Sequence, residues 1–144
     1  MASTDELVAE LLAREAIRDL PVRYCDCVWR NDMKGLVNLF AENASFITQG
    51  RERSLTTTGR AALLEMYSKA IGEANPRPYI HNHVVDLKGK DRGVGRCYVE
   101  LRGATRNFDW IGTGFYEDEY VKTPDGWKFA SRRFTRAYTP PSAR

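Results

Sequence analysis

The feature that most constrains the fold is a long aromatic hairpin near the C-terminus, residues 110–136. Its turn contains Pro124, Asp125 and Gly126, which supply the fixed φ and the positive φ that a chain reversal requires. Aromatic residues flank this turn on both sides: Phe115, Tyr116, Trp127, Phe129 and Phe134. A hairpin of this length belongs to a strongly curved sheet, and such a sheet needs helices to cover one of its faces.

The N-terminal part of the chain has the pattern of helices. Ser3 and Glu6 have the spacing of a capping box at the start of an amphipathic helix. Pro21 lacks the amide hydrogen that a helix interior needs, so we expect the helix to kink there or to restart as a second helix. A short third helix follows Asp32, and a fourth helix is predicted over residues 60–71.

Strand patterns dominate the rest of the chain. Segments 79–87 and 93–102 precede the hairpin, and a short strand is predicted at 44–48. The tail at 139–144 contains two prolines, so we expect it to form neither a helix nor a central strand. Helices followed by an antiparallel meander predict an α+β fold. A curved sheet over its own helices encloses a pocket, the usual place for an apolar ligand.

Length and composition exclude several classes of protein. The 144 residues predict one domain over residues 1–144. Lys and Arg number 22 against 19 Asp and Glu, and the formal charge of +3 is too small for a nucleic-acid-binding face. No apolar segment has membrane-spanning length, and the N-terminus has no signal-peptide pattern. Three cysteines without metal-ligand spacing predict reduced thiols in a cytoplasmic protein.

His81 and His83 are the only histidines and the candidates for a general base. Alternation along the predicted strand places both side chains on the same face as Val85 and Leu87. An imidazole there has a pKa that the protein can tune close to neutral. The alternative is a hydrogen-bonded pair in a subunit interface. Because no third metal ligand lies nearby in the sequence, we expect neither a metal nor another cofactor.

Two residues of the second predicted helix are candidates to assist that base. Asp26 flanks the apolar face and can orient an imidazole, or it can pair with Arg23 or Arg30 at the surface. Tyr24 lies at the other edge of this face. Its hydroxyl can donate a hydrogen bond to a substrate oxygen, or the residue can simply fill the core with its hydroxyl reaching water.

The last predicted strand carries Arg132 and Arg133 side by side. Neighbouring residues of a strand point to opposite faces, so one of the two arginines should face the interior. A buried arginine must be paired, and the candidates are Glu117, Glu119 or an anionic group of a ligand. We therefore expect an inward guanidinium near the pocket.

Aromatic residues provide the expected lining of the pocket. Trp29, Trp110 and Tyr116 suit a planar ring, although aromatic residues at such positions more often form the core. The expected partner is therefore a small hydrophobic or aromatic molecule. We also expect a homodimer, because four strands leave an outer sheet face that is partly apolar and that homodimers commonly bury.

Several segments resemble the SnoaL-like branch of the nuclear-transport-factor-2-like superfamily: residues 16–20, 24, 30–32, 35–40, 59–63, 82–85, 119–120 and 125–129. The resemblance covers nearly the whole chain. It implies a cone-shaped fold in which N-terminal helices pack on a strongly curved antiparallel sheet. The superfamily includes steroid isomerases, polyketide cyclases, dioxygenase β subunits and non-catalytic binders. In length and layout the chain is most similar to the scytalone dehydratase and hexachlorocyclohexane dehydrochlorinase members.

The resemblance also assigns positions to the catalytic residues of those two members. Both use an Asp on the second helix to orient a His at the start of the third strand, and this His removes a proton. Here Trp29 stands at the Asp position, and the His position falls at or near Pro78. Val28 corresponds to a dehydratase Tyr, and Arg132 matches the inward basic residue of the last strand. The Asp–His dyad is therefore not reproduced in register.

Two functional hypotheses follow. In the first, the protein is a cofactor-independent lyase or isomerase: His81 or His83, oriented by Asp26, removes a proton next to a carbonyl of a cyclic substrate. Tyr24 and Arg132 then stabilise the enolate, and the C-terminal tail covers the mouth of the pocket. In the second, the protein binds a small ligand or serves as an assembly module without catalysis, which the missing dyad favours.

Overall fold

The structure is a computed structural model that describes residues 1–73 and 75–143. Three α-helices and six strands are found in these residues. The helices are α1 (Thr4–Trp29), α2 (Met33–Val37) and α3 (Arg60–Glu73). The strands are β1 (Phe40–Gln49), β2 (Ser54–Thr58), β3 (Pro76–Leu87), β4 (Arg92–Gly103), β5 (Asp109–Thr123) and β6 (Gly126–Tyr138). The predicted α+β class is confirmed.

The strands form one open sheet in the order β2-β1-β6-β5-β4-β3. The predicted meander of β3, β4, β5 and β6 is present, with antiparallel pairing throughout. The expectation of a wholly antiparallel sheet is wrong, because β1 pairs with β6 in parallel. A parallel pair needs a long crossover connection, and the chain between β1 and β6 includes α3 and three further strands.

Helix α1 does not restart at Pro21. It runs unbroken from Thr4 to Trp29 with the proline inside it. The predicted capping box is confirmed: the Ser3 amide donates to the Glu6 carboxylate at 2.7 Å, and the Glu6 amide donates to the Ser3 hydroxyl at 3.2 Å. A proline inside a helix costs about 3 kcal/mol. Burial of Ile17, Leu20 and Tyr24 around it offsets that cost.

The hydrophobic core lies between the helices and one face of the sheet. Helix α1 packs against β3 and β6, and α3 packs against β1 and β2. Ile17, Leu36, Phe40, Val99 and Phe129 are fully buried at this layer. Because α1 crosses the edge strand β3, the junction of these two elements forms a groove that is open to solvent.

The C-terminal tail forms a short 3₁₀ helix, Pro141–Ala143. The expectation that the tail contains no helix is therefore wrong over this single turn, which the Ala143 amide closes by donating to the Pro140 carbonyl at 3.0 Å. Arg106 donates to the Ser142 carbonyl at 3.0 Å. These contacts join the tail to the β4–β5 connection, whereas the expected closure of a pocket mouth is not seen among the described contacts. The last tail residue, Arg144, lies outside the described residues.

Within residues 1–73 and 75–143, no helix is long and apolar enough to cross a membrane.

Candidate functional site

A groove of about 500 Å³ lies between α1 and the edge strand β3. Its lining combines apolar walls with a few polar groups: Arg18, Pro21, Val22, Cys25, Pro78, Tyr79, Ile80, His81 and His83. Burial raises the pKa of Cys25 to about 12, so its thiol stays protonated and unreactive at neutral pH. The imidazoles are therefore the groups of this groove suited to proton transfer.

The prediction that the two histidines share one face of the strand is wrong. A β-bulge interrupts the pairing of β3 with β4. Ile80 lies opposite Val99 and His83 lies opposite Cys97, so β3 has one more residue than β4 between these two pairs. The extra residue reverses the alternation between His81 and His83. His83 therefore faces inward, on the same side of the sheet as the buried Cys97 opposite it.

His81 lies on the other side of the bulge. Its Nε2 is 3.5 Å from the Glu100 carboxylate, and 55% of its side chain is exposed. Glu100 is also bound by Arg102 at 2.6 Å. His81 thus belongs to a solvent-exposed charge cluster at the rim of the groove, and only His83 is connected to the interior.

A chain of hydrogen bonds leads from His83 into the core. His83 Nε2 lies 3.0 Å from the Tyr120 hydroxyl oxygen. This hydroxyl donates to Asp118 Oδ2 at 3.1 Å, and Arg132 Nε donates to Asp118 Oδ1 at 3.0 Å. Since the single phenolic proton is directed to Asp118, the hydroxyl oxygen accepts from Nε2–H of His83. The other ring nitrogen, Nδ1, then keeps a free lone pair.

The protonation states along this chain follow from burial and neighbouring charge. Burial, together with the positive charges of Arg132 and Arg18, lowers the pKa of His83 to about 4. Burial raises the pKa of Asp118 to about 6, against the opposing effects of Arg132 and Tyr120. At pH 7 His83 is therefore neutral and Asp118 is ionised. Burial and the charge of Asp118 raise the pKa of Tyr120, so its hydroxyl keeps its proton.

Arg132 is the fully buried end of the chain, as the inward guanidinium predicted from the sequence. Three aromatic rings surround it, with centroids 3.7 Å (Tyr116), 4.2 Å (Tyr24) and 4.6 Å (Phe129) from Cζ. Burial alone would lower the pKa of Arg132, but the carboxylate of Asp118 raises it, and the group stays cationic. Among the described residues, Nη1 has no hydrogen-bond partner.

The predicted partners of Arg132 were the wrong acids. Glu117 and Glu119 are exposed on the outer face, and Asp118 between them is the buried partner. In the strand register Asp118 lies directly opposite Arg132. The sequence contains a signal for this arrangement, because Asp118 alternates with Tyr116 and Tyr120 on one face. We did not predict Asp118, Tyr120 or Cys97 as members of the site; the Cys97 sulfur accepts a hydrogen bond from Arg132 Nη2 at 3.3 Å.

The two predicted assistants have different surroundings. Asp26 pairs with Arg30 at 3.0 Å, and both side chains are 61% exposed. This is the surface arrangement that was the alternative for Asp26, and no described contact joins it to a histidine. Tyr24 is buried, and its hydroxyl donates to the Tyr67 hydroxyl at 3.1 Å. Its ring packs on Arg132, so its described contacts lie in the core.

The structure does not bring the three predicted aromatic residues together. Trp29 stacks on Phe108 with ring centroids 5.8 Å apart, whereas Trp110 stacks on Tyr138 at 5.3 Å. Tyr116 lies in the core over Arg132. The expected aromatic lining of a single pocket is therefore divided among three separate clusters.

The two positions that the resemblance assigns to the catalytic dyad are in contact. The Trp29 indole N–H donates to the Pro78 carbonyl at 2.8 Å, and its ring meets that of Tyr79 edge to face at 5.3 Å. Val28, which corresponds to the dehydratase Tyr, is buried. A carboxylate and an imidazole are thus replaced by an aromatic contact that has no group able to accept a proton from carbon.

A second depression, of about 340 Å³, lies on the outer face of the sheet. Its lining includes charges of both signs, among them Arg96, Glu117, Glu119 and Arg133. Arg133 is held in place there by a hydrogen bond of 2.7 Å to Gln49. This is the face through which we expect a homodimer, and the dimer stays a prediction.

Comparison with known proteins bears on the fold and the family. The family model of the SnoaL-like domain matches residues 9–133. A variant of Rv3472, a protein of unknown function from Mycobacterium tuberculosis, is 27% identical over 94% of this chain and 76% of its own, with a TM-score of 0.78. No protein of curated function matches the chain.

Two further solved structures are similar in fold. A nuclear-transport-factor-2-like protein with a cystatin-like fold from Novosphingobium aromaticivorans is 23% identical, with coverage of 100% of this chain and 96% of that chain and a TM-score of 0.81. The hexachlorocyclohexane dehydrochlorinase LinA-type3 from Novosphingobium barchaimii LL02 is 20% identical, with coverage of 93% and 92% and a TM-score of 0.80. The fold expected from the sequence resemblance is confirmed.

Proposed function

The chain belongs to the SnoaL-like domain family, and on that premise we propose that it is a cofactor-independent lyase or isomerase. Its substrate would be a small cyclic or aromatic compound held in the groove between α1 and β3. The observation that carries the proposal is the His83–Tyr120–Asp118 chain. It supports one tautomer of an imidazole that borders an open groove, with Nδ1 free to accept a proton.

The proposed reaction begins with removal of a proton from a carbon next to a carbonyl. Nδ1 of His83 takes the proton, and the C–H electron pair moves into the enolate. In a dehydration, the β-hydroxyl then leaves as water after accepting the proton from the imidazolium. In an isomerisation the substrate is a β,γ-unsaturated ketone, so the enolate is conjugated with the C=C bond. The same proton then returns to the γ carbon, and the double bond shifts to the α,β position. Both routes balance without a redox partner, which supports a reaction without a cofactor.

The buried residues take supporting roles in this scheme. Tyr24 and Arg132 were expected to stabilise the enolate directly, but both are buried away from the groove lining. Arg132 instead fixes the carboxylate of Asp118, which holds the Tyr120 hydroxyl in the orientation that accepts from His83. Tyr120, Asp118 and Arg132 are therefore positioning residues, and His83 is the residue proposed to touch the substrate.

The test is proton exchange, because it does not require the product to be known. Cyclic ketones and β-hydroxy ketones are incubated with the protein in D₂O, and loss of the C–H signal next to the carbonyl is followed by NMR. We expect His83→Gln to slow enzyme-catalysed exchange by roughly 10²- to 10⁴-fold, the range for a general base. His81→Gln is the matched comparison and should slow it by less than about threefold, since its imidazole pairs with Glu100 at the rim.

The alternative function is ligand binding without turnover. It is favoured by one observation, the contact of Trp29 with Pro78 at the dyad positions. In that case cyclic ketones would perturb the His83 resonances without any exchange of their own protons. His83→Gln would then leave their affinity within about twofold. Exchange that is equally fast in wild type and His83→Gln would place the base elsewhere and overturn the proposal for this residue.

A further inference from the structure

Arg18 is the positively charged residue of the groove that holds His83. It lies on α1, one turn before Pro21, and its side chain is exposed. None of the residues that line the groove in the described part of the chain is an aspartate or a glutamate. The lining of the groove therefore presents a cation, two imidazoles and apolar walls, without an acidic residue among them.

The other arginines along α1 and at its C-terminal cap are all paired. Arg14, Arg23 and Arg30 each bind the carboxylate four residues earlier, Glu10, Asp19 and Asp26 respectively. Such pairs are the usual way in which a helix surface neutralises its charges.

Arg18 departs from this pattern. The residue four positions earlier is Arg14 and the residue four positions later is Val22, so no carboxylate stands at either spacing. Within residues 1–73 and 75–143, no hydrogen bond or ion pair of Arg18 is found. The arginine that lines the groove is thus the one that the helix leaves without a partner.

We infer that the ligand of this groove is a cyclic acid, whose carboxylate pairs with Arg18 while its ring packs against Pro21, Val22 and Ile80. The inference rests on the proposed function, because it assigns the substrate class of the same site. A planar guanidinium binds a carboxylate through two parallel hydrogen bonds, so Arg18 would fix both the position and the orientation of the ring. The reacting carbon would then lie on the side that faces His83.

A bound carboxylate would also act on the base. The positive charge of Arg18 contributes to the lowered pKa of His83, after burial and Arg132. An anion placed beside Arg18 offsets that charge, so the pKa of His83 should rise when the acid binds. A base whose pKa moves towards the working pH is the more effective one. Substrate binding would therefore improve the catalytic group, as well as position the substrate.

The experiment compares benzoate with benzamide, which has nearly the same shape and no charge. Affinities are measured from the NMR shifts of the His83 imidazole in wild type, Arg18→Gln and Arg23→Gln. Wild type should bind benzoate roughly tenfold more tightly than benzamide, the size expected for a charged hydrogen-bonded pair at a partly hydrated site. Arg18→Gln should abolish this preference. Arg23→Gln, which changes an arginine already paired with Asp19, should keep it.

Each outcome decides the inference. Equal affinity for the two probes in wild type, no binding of benzoate, or a preference that persists in Arg18→Gln would overturn it. The proposed function can fail separately. If benzoate binds with the Arg18 dependence and no ketone undergoes exchange, the acid site stands and the lyase or isomerase does not. If ketones undergo His83-dependent exchange and benzoate binds no more tightly than benzamide, the enzyme stands and the cyclic acid does not.

Discussion

The two ends of the hydrogen-bonded chain through Tyr120 lie in opposite environments. At one end Arg132 and Asp118 are fully buried, and three rings pack around the guanidinium. At the other end His83 is half-buried and borders a groove of about 500 Å³. This single chain of hydrogen bonds therefore joins an ion pair buried away from water to an imidazole that solvent and ligands can reach.

The difference between the two ends shows how their tasks are divided. Charges in a dry environment interact strongly and keep one geometry, but they cannot exchange protons with a substrate. An imidazole at a wet groove can exchange protons, but by itself its tautomer is not fixed. Tyr120 lies between the two, and its hydroxyl transmits the fixed geometry of Asp118 to the ring of His83. The buried pair of Arg132 and Asp118 fixes the geometry of the chain, and His83 at the groove is the residue that can exchange a proton.

The largest effect is expected when the buried end of the chain is broken. Asp118→Ala leaves the Arg132 guanidinium buried without its counter-charge, which should lower the free energy of unfolding by about 3–5 kcal/mol. Urea denaturation measures the loss. Glu117→Ala is the matched control, because this neighbouring acid is exposed on the outer face and should cost less than about 0.5 kcal/mol.

A double variant separates charge from packing at the same place. Asp118→Leu combined with Arg132→Met replaces the ion pair by apolar side chains of similar size. Such replacements are often neutral or stabilising, so the double variant should recover most of the stability that Asp118→Ala loses. If it is as unstable as the single variant, the loss arises from packing, and the ion pair is not what holds this end of the chain.

A smaller effect is expected in the middle of the chain. Tyr120→Phe keeps the ring but removes the hydroxyl, which leaves Asp118 Oδ2 and His83 Nε2 without this partner. The expected loss is about 1–3 kcal/mol in the free energy of unfolding. Tyr98→Phe is the control, since Tyr98 is exposed on the outer face and its hydroxyl makes no hydrogen bond with the described residues. Equal stabilities of the two variants would contradict a continuous chain.

The sequence predicts the elements of this arrangement better than their register. The aromatic hairpin, the capping box and the inward Arg132 all follow from local patterns or from the family resemblance. The identity of the acid that pairs with Arg132 does not follow from them. The pairing of β5 with β6 contains a bulge, since Glu119 lies opposite Ser131 while Tyr120 lies opposite Phe129. Because Ala130 is the extra residue, Phe129 and Arg132 point to the same face of the sheet. In a regular strand, two residues three positions apart would point to opposite faces.

A second bulge determines the directions in which the two histidine side chains point. Regular alternation puts His81 and His83 side by side, but the bulge in β3 turns one towards Glu100 and the other towards Tyr120. Neither bulge contains a glycine or a proline that would mark it in the sequence. Bulges depend on how a sheet curves over its helices, so they are a property of the packed molecule. The elements were therefore predictable, whereas the assembly of the site required the structure.

The smallest effect is expected at the groove end, as a dependence of stability on pH. The pKa of His83 is lowered to about 4 in the folded protein, from 6.5 for the free side chain. Between these two values the unfolded chain binds a proton that the folded chain does not, so stability is lost as the pH falls through this window. The effect should be modest, because the ring is only partly buried.

The measurement is the difference in unfolding free energy between wild type and His83→Gln from pH 7 to pH 4. Asp118 acts in the opposite direction, since its pKa is raised to about 6 from 3.8, but it is present in both proteins and largely cancels in the difference. Wild type should therefore lose stability relative to His83→Gln as the pH falls. His81→Gln should follow wild type. A difference that stays constant from pH 7 to pH 4 would mean that His83 is not held neutral, and the contrast between the two ends of the chain would then be limited to burial.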